Sequence, residues 1–198
     1  MNGYRSRTYG ADELRAFLQA VDRHLSSRVR VEIIGGSAAA LAHSAKSTTV
    51  DVDTYNAVNA ELLDAVARAN QETGFDIPIS QSTVADVPYN YEDRLQRHLP
   101  ELSHLEVWVL EKHDLVLSKT IRCYEHDLQQ ILEIHQNAAL SFDTLVDRFE
   151  REMMKIAIGN PSVIRANFFI MIEAVFGELR RVAAEKRLAS WPSASGRP

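Results

Sequence analysis

Apolar positions recur along the first stretch of the chain at the spacing of a helix. Leu14, Phe17, Leu18, Val21 and Leu25 form one stripe over 11–27, while Arg15, Arg23 and His24 fall on other faces. Residues 31–34, Val-Glu-Ile-Ile, read as a short apolar strand, and 37–43, Ser-Ala-Ala-Ala-Leu-Ala-His, as a short helix. A second strand is predicted over 50–55. A helix follows over 59–73, with Leu62, Leu63, Val66 and Ala69 inward and Gly74 closing it. Residues 75–80 read as a strand that Pro78 confines to a sheet edge, and 81–100 as irregular and polar. The clearest strand is 105–110: Leu105, Val107 and Val109 share one face, and Glu106, Trp108 and Leu110 the other.

Beyond that strand the period is helical. A helix is predicted over 114–123 with Asp114 as N-cap, and an amphipathic one over 141–158 through Phe142, Val146, Phe149, Met153 and Ile156. A long helix over 162–188 starts from the cap Asn160-Pro161. Its 168–172 segment is apolar nearly all round, which implies burial against several helices or against a second copy. Residues 191–198, rich in Ser, Pro and Gly, are expected to form a disordered tail. The fold class expected is α/β (α+β): a small mixed sheet flanked by helices over 1–137, a helical part over 138–190, and the tail.

Composition narrows this picture without changing it. The 198 residues are 45% hydrophobic and 25% charged, ordinary for one globular domain with a helical appendage. Cys123 is the single cysteine, so an internal disulfide is excluded and a reducing compartment is expected. No apolar leader opens the chain, and the longest apolar run, 166–175, is short and broken by Asn167 and Glu173. A cytoplasmic protein with no membrane association is therefore expected. Net charge is −5, which does not advertise nucleic-acid binding. It is unevenly placed: 1–30 carry six Arg against three acids and 178–198 five Lys/Arg against two, leaving −11 between them. Two basic ends suit phosphates, or serve solubility alone.

Several chemistries are absent by pattern. The seven His form no His-Glu-x-x-His and no Cys/His cluster. Gly35-Gly36 is not followed by Gly-Lys-Ser/Thr, and Ser37 lies outside a Gly-x-Ser-x-Gly elbow. What remains is the stretch 35–53. Gly35 and Gly36 let the backbone turn sharply and approach a phosphate, and the Ser37 hydroxyl can bind a phosphate oxygen. A helix starting there aims its free N–H groups at the turn. Asp51 and Asp53, two apart on a strand, project to one side. Paired carboxylates repel each other and suit a divalent cation, and oxygen-only ligands suit Mg²⁺. A tight turn beside two solvated aspartates is the plainer reading of the same residues.

Glycine pair, serine, short helix and Asp-x-Asp strand together resemble the nucleotidyltransferase fold of the DNA polymerase beta superfamily. More narrowly they resemble the AbiEii-type nucleotidyltransferases, toxins of abortive-infection and type IV toxin–antitoxin systems. Gly35, Gly36, Ser37, Thr49, Asp51, Asp53, Lys119 and Asp127 carry the resemblance, over 31–133. It implies that 1–137 is the nucleotidyltransferase domain and that a third carboxylate lies on a strand beside Asp-x-Asp. Glu106 occupies a position that can serve, or else sits at an exposed strand end. The family often has an Arg four positions before Asp-x-Asp; here Ser47 stands in that place and Lys46 one step away. Lys119 matches a lysine that supplies charge to a triphosphate, and Asp127 an aspartate that orients it or acts as a base. An exposed, salt-bridged helix face explains the same two residues.

The activity the resemblance implies is transfer of NMP from an NTP to an RNA acceptor, such as the 3′ end of tRNA, with growth inhibition as its consequence. Mg²⁺ or Mn²⁺ would sit on Asp51 and Asp53, and the Gly36-Ser37 turn would hold the β- and γ-phosphates. A cognate antitoxin and a homodimer through the C-terminal helices are the further partners expected. Two other classes stay open: a catalytically silent binding or regulatory module, and an enzyme that nucleotidylates a protein or a small molecule.

Overall fold

The apolar stripe at the N-terminus forms helix α1, Ala11–His24, which buries Leu14, Phe17, Leu18 and Val21. Glu13 accepts the N–H of Gly10 and holds the helix start, and the chain becomes extended at Leu25, before the predicted end at Ser27. The computed structural model describes residues 7–43, 46, 48–82, 86–156 and 159–189. Two units make up the chain, 1–85 with 94–110, and 86–93 with 111–198.

In the first unit β1 (Val29–Ile33) leads through α2 (Gly35–Ala38) and a π-helical turn (Ala39–His43) to β2 (Val52–Thr54). Helix α3 (Ala60–Thr73) follows, capped by Asn59, whose side chain accepts the N–H of Leu62, and closed by Gly74 at φ 68°. β3 (Ile79–Gln81), β4 (Gln96–His98) and β5 (Leu105–Val109) complete a five-stranded sheet of order β3-β2-β1-β5-β4. The sheet is mixed: β1 runs parallel to β5 and β2 parallel to β3, while β1–β2 and β4–β5 are antiparallel. The expected mixed sheet is thus present, and the Pro78 segment does end at its edge. β4 is the addition, inside the stretch expected to be irregular, and a 3₁₀ turn, Tyr91–Arg94, precedes it. Gln-Arg-His has no apolar alternation to announce a strand; pairing with β5 makes it one.

One sheet face is apolar. Val29, Val31, Ile33, Val52, Leu105, Val107 and Val109 are buried there, and α1 packs against both α3 and β5. Burial of such side chains is worth about 1.5–3 kcal/mol each. Asp22, near the end of α1, accepts the backbone N–H groups of Ser103, His104 and Leu105 at 3.1, 2.7 and 2.7 Å. Burial alone raises its carboxyl, but these three donors outweigh burial and hold it below the usual carboxylate range.

The second unit is helical: α4 (Lys112–Thr120), α5 (Glu125–Ala138), α6 (Phe142–Arg148), α7 (Met154–Ile156), α8 (Pro161–Phe176) and α9 (Glu178–Arg187). Three expectations change. α4 is capped by Glu111, whose carboxylate accepts the N–H of His113, and Asp114 is buried inside the helix bonded to Arg148. α5 was not anticipated as a separate helix. The long helix expected over 162–188 breaks at Gly177, whose φ of 86° few other residues adopt. The amphipathic stretch 142–156 passes through a π-helical turn, Phe149–Met153, where Phe149 stacks on Phe168 at 3.9 Å. The predicted tail, 191–198, lies outside the described residues, and no helix among the described residues is long and apolar enough to cross a membrane.

Candidate active site

The first group of site residues gathers where β1 ends. Ile34 donates its N–H to the carbonyl of Asp53 at 3.0 Å, so Asp53 stands level with the residue that enters the turn. Gly35 then takes φ 65°. A Cβ there would lie 3.2 Å from Asp53 Oδ2, and a Cβ on Gly36 would lie 3.1 Å from Thr49 Oγ1. Both contacts are tighter than side chains tolerate without displacement, so the glycine pair is what lets the carboxylate sit against the turn. Thr49 is fixed by a two-way backbone pairing with Tyr9, at 2.7 and 3.0 Å. Its hydroxyl lies 3.1 Å from both the carbonyl and Oδ1 of Asp51 and donates to them. Gly35, Gly36, Thr49, Asp51 and Asp53 therefore form one constellation.

Asp51 and Asp53 flank the fully buried Val52, and both are half-exposed. Among the described residues no three His, Cys, Asp or Glu side chains group as a metal site. A cation at this pair would take its remaining ligands from a substrate, the usual habit of Mg²⁺ beside phosphates. Ser37 is buried and its hydroxyl donates to the carbonyl of Ile34 at 3.0 Å, leaving its oxygen lone pairs as acceptors only. His43 Nε2 lies 2.7 Å from the Leu110 carbonyl and donates to it, a packing role. Lys46 is exposed, and Ser47 lies outside the described residues.

Glu106 is on the same sheet face as Asp53 but not beside it. Register pairs Glu106 with Arg30, four residues before Ile34, and β1 stands between β5 and β2. At 3.3 Å per residue and 4.8 Å per strand, the two Cα atoms are about 16 Å apart. Its nearest cation is Arg28 at 4.0 Å.

Lys119 and Asp127 belong to the helical unit and do meet. Lys119 Nζ is 3.5 Å from Asp127 Oδ1 and 2.5 Å from Gln130 Oε1, with the lysine 3% exposed and the aspartate fully buried. This is not the solvated surface pair that the plainer reading had. Arg122 donates two hydrogen bonds to Asp127, at 2.9 and 3.1 Å, and the Tyr124 N–H a third at 3.2 Å, which starts α5. Burial raises the Asp127 carboxyl; the Arg122 hydrogen bond and the charges of Lys119, Arg122 and His126 more than offset it and hold it ionised.

One cluster had no sequence signal. Glu111 accepts from His113 Nδ1 at 2.6 Å and from Arg148, Arg148 also donates to Asp114 at 2.8 Å, and His113 Nε2 accepts the Ser141 N–H at 2.9 Å. Both ring nitrogens of His113 are thereby engaged within the cluster. All of these partners lie inside the helical unit, which marks the cluster as scaffold. Only the run Glu-Lys-His-Asp hinted at it, and Arg148 lies far along the chain.

A mixed five-stranded sheet with a glycine turn set against a carboxylate pair defines the class: an α+β protein whose strand ends gather phosphate-compatible groups. The family follows from comparison. A model of the family described as "Nucleotidyltransferase of unknown function (DUF6036)" matches residues 12–174, and the chain belongs to that family. Comparison with curated proteins and with solved structures gives no match.

Proposed function

We propose that the chain transfers a nucleoside monophosphate from an NTP to an RNA acceptor, as a toxin of a toxin–antitoxin pair would do to a tRNA 3′ end. The observation that carries the reading is the contact of the Asp53 carboxylate with the Gly35 turn, beside Asp51 held by Thr49. Asp51 and Asp53 would hold Mg²⁺ or Mn²⁺, which supplies charge to the triphosphate and to the attacking and leaving oxygens. The Gly35-Gly36 backbone admits the β- and γ-phosphates where any side chain would obstruct them. Ser37 and exposed Lys46 stand nearest in sequence for further phosphate contacts. The acceptor hydroxyl attacks the α-phosphorus, a new P–O bond forms, and pyrophosphate leaves with the electron pair of the broken one. By the resemblance, Lys119, paired with Asp127 and Gln130 inside the helical unit, is the lysine that serves the reaction, and Glu106, far along its strand, contributes to acceptor contacts rather than to the cation.

Incubation with each α-phosphate-labelled NTP, Mg²⁺ or Mn²⁺, and either total RNA or total cell protein tests this. Label in RNA, with one nucleotide preferred, supports it. Label in protein alone, or NTP binding without transfer to anything, contradicts it.

A further inference from the structure

The outer face of the sheet carries a second row of side chains beside the Asp53 row. Tyr55 donates its N–H to the Glu32 carbonyl at 2.9 Å, Glu32 is registered with Trp108, and Trp108 with Arg97. Residues directly across a sheet share a face, so Tyr55, Glu32, Trp108 and Arg97 lie in one line across three strands and the residue after β2. Arg30, two residues before Glu32, places its guanidinium 4.9 Å from the Trp108 ring centroid and pairs with Glu32 at 3.0 Å.

Two members of this row lack a polar partner among the described residues, and a further arginine lies nearby on the same face. The Trp108 indole N–H is buried with no hydrogen-bond partner among the described residues, a cost a packing residue avoids. Arg97 is exposed and has no ion pair among the described residues. Arg28 is 81% exposed at its side chain, with Glu106 only at 4.0 Å. The row also lies close to the proposed reacting centre: Trp108 is two strands and two residues from Asp53, about 12 Å between Cα atoms. That span fits one or two nucleotides of an extended strand.

We propose that Trp108, stacked on Arg30 and flanked by Arg97, is a stacking platform for unpaired nucleotides of the acceptor strand next to its reacting end. Bases stack on aromatic rings and on guanidinium planes whatever their sequence, and Arg97, which has no acid partner among the described residues, is placed to hold a phosphate. The proposal rests on the nucleotidyl-transfer reading for why a strand should lie there, but binding is measured without nucleotide or cation. Its outcome is therefore separate from that of transfer.

The probe is a short fluorescein-labelled single-stranded RNA, followed by anisotropy. Trp191→Phe leaves Trp108 as the one tryptophan, so its emission reports locally. Saturable quenching of Trp108 by the RNA is expected. Trp108→Leu should weaken anisotropy-detected binding about 10-fold or more. Arg97→Gln, an exposed position that cannot unsettle the core, should weaken it too and lower the salt slope by about one. No quenching, equal quenching by a blunt duplex of the same length, or RNA affinity unchanged in both variants overturns the proposal. Binding of a protein acceptor with no RNA binding overturns it as well.

Discussion

Glu111→Gln is the perturbation whose size can be worked most directly. The carboxylate caps α4, and accepts from His113 Nδ1 and from Arg148. Burial pushes its carboxyl up, but the His113 and Arg148 hydrogen bonds and charges outweigh burial and lower it from 4.5 to about 2. A gap of about 2.5 pH units corresponds to about 3 kcal/mol at 1.36 kcal/mol per unit. The amide keeps one accepting oxygen, and Arg148 keeps Asp114, so the expected loss at pH 7 is about 2 kcal/mol. The sign follows from the depressed folded value. Above pH 4.5 both states are ionised and the stabilisation is complete; as pH falls towards 2 the unfolded chain takes up the proton first, and the stabilisation is lost. The glutamine variant lacks this titration. Urea unfolding at pH 7 and pH 3.5 should therefore show the wild-type advantage shrinking by about 1.4 kcal/mol. An advantage equal at both pH values, or below about 0.5 kcal/mol at pH 7, would refute the reasoning.

Gly36→Val should lower NTP affinity more than it lowers the melting temperature, because the added Cβ presses on Thr49 Oγ1, the hydroxyl that holds Asp51; NTP binding by calorimetry beside a thermal melt checks it. Lys119→Ala should slow transfer about 10²-fold per folded molecule, roughly 2.7 kcal/mol, with Asp127→Asn similar and the double variant little worse. Lys155, exposed on α7, is the charge control; Lys112 is not, because its ammonium holds the Ala138 and Ala139 carbonyls at the end of α5. Equal small effects of Lys119→Ala and Lys155→Ala would leave Lys119 a scaffold residue.

What was legible in the sequence was whatever depended on neighbours in the chain. The stripe of α1, the alternation of β5, the closing Gly74 of α3 and the cap Asn160-Pro161 are local patterns, and all appear. Gly35 and Asp53 were grouped by the resemblance, and their contact follows from the pairing of β1 with β2. Sheet order was not: nothing in 31–34 or 105–110 says that β1 lies between β2 and β5, and that order separates Glu106 from Asp53. β4 exists through pairing and carries no apolar period. The burial of Lys119 was hidden because charge argues for a surface, and partners such as Asp127 and Gln130 offset its desolvation. Asp114 misled for a related reason: it looks like a cap, but Glu111 takes that place and Arg148 neutralises Asp114 inside.

The most direct measurement uses one RNA acceptor, Mg²⁺, and the preferred NTP labelled either at the α- or at the γ-phosphate, with the native chain and Asp53→Ala in parallel. Removing one of two repelling carboxylates from a half-exposed position should leave the fold intact, so loss of transfer reads chemistry rather than unfolding. The expected result is RNA labelled from the α-position only, pyrophosphate released, and neither in Asp53→Ala at unchanged circular dichroism. Label from the γ-position, or full transfer by folded Asp53→Ala with Mg²⁺ as the sole divalent ion, would contradict nucleotidyl transfer at the Asp51–Asp53 pair.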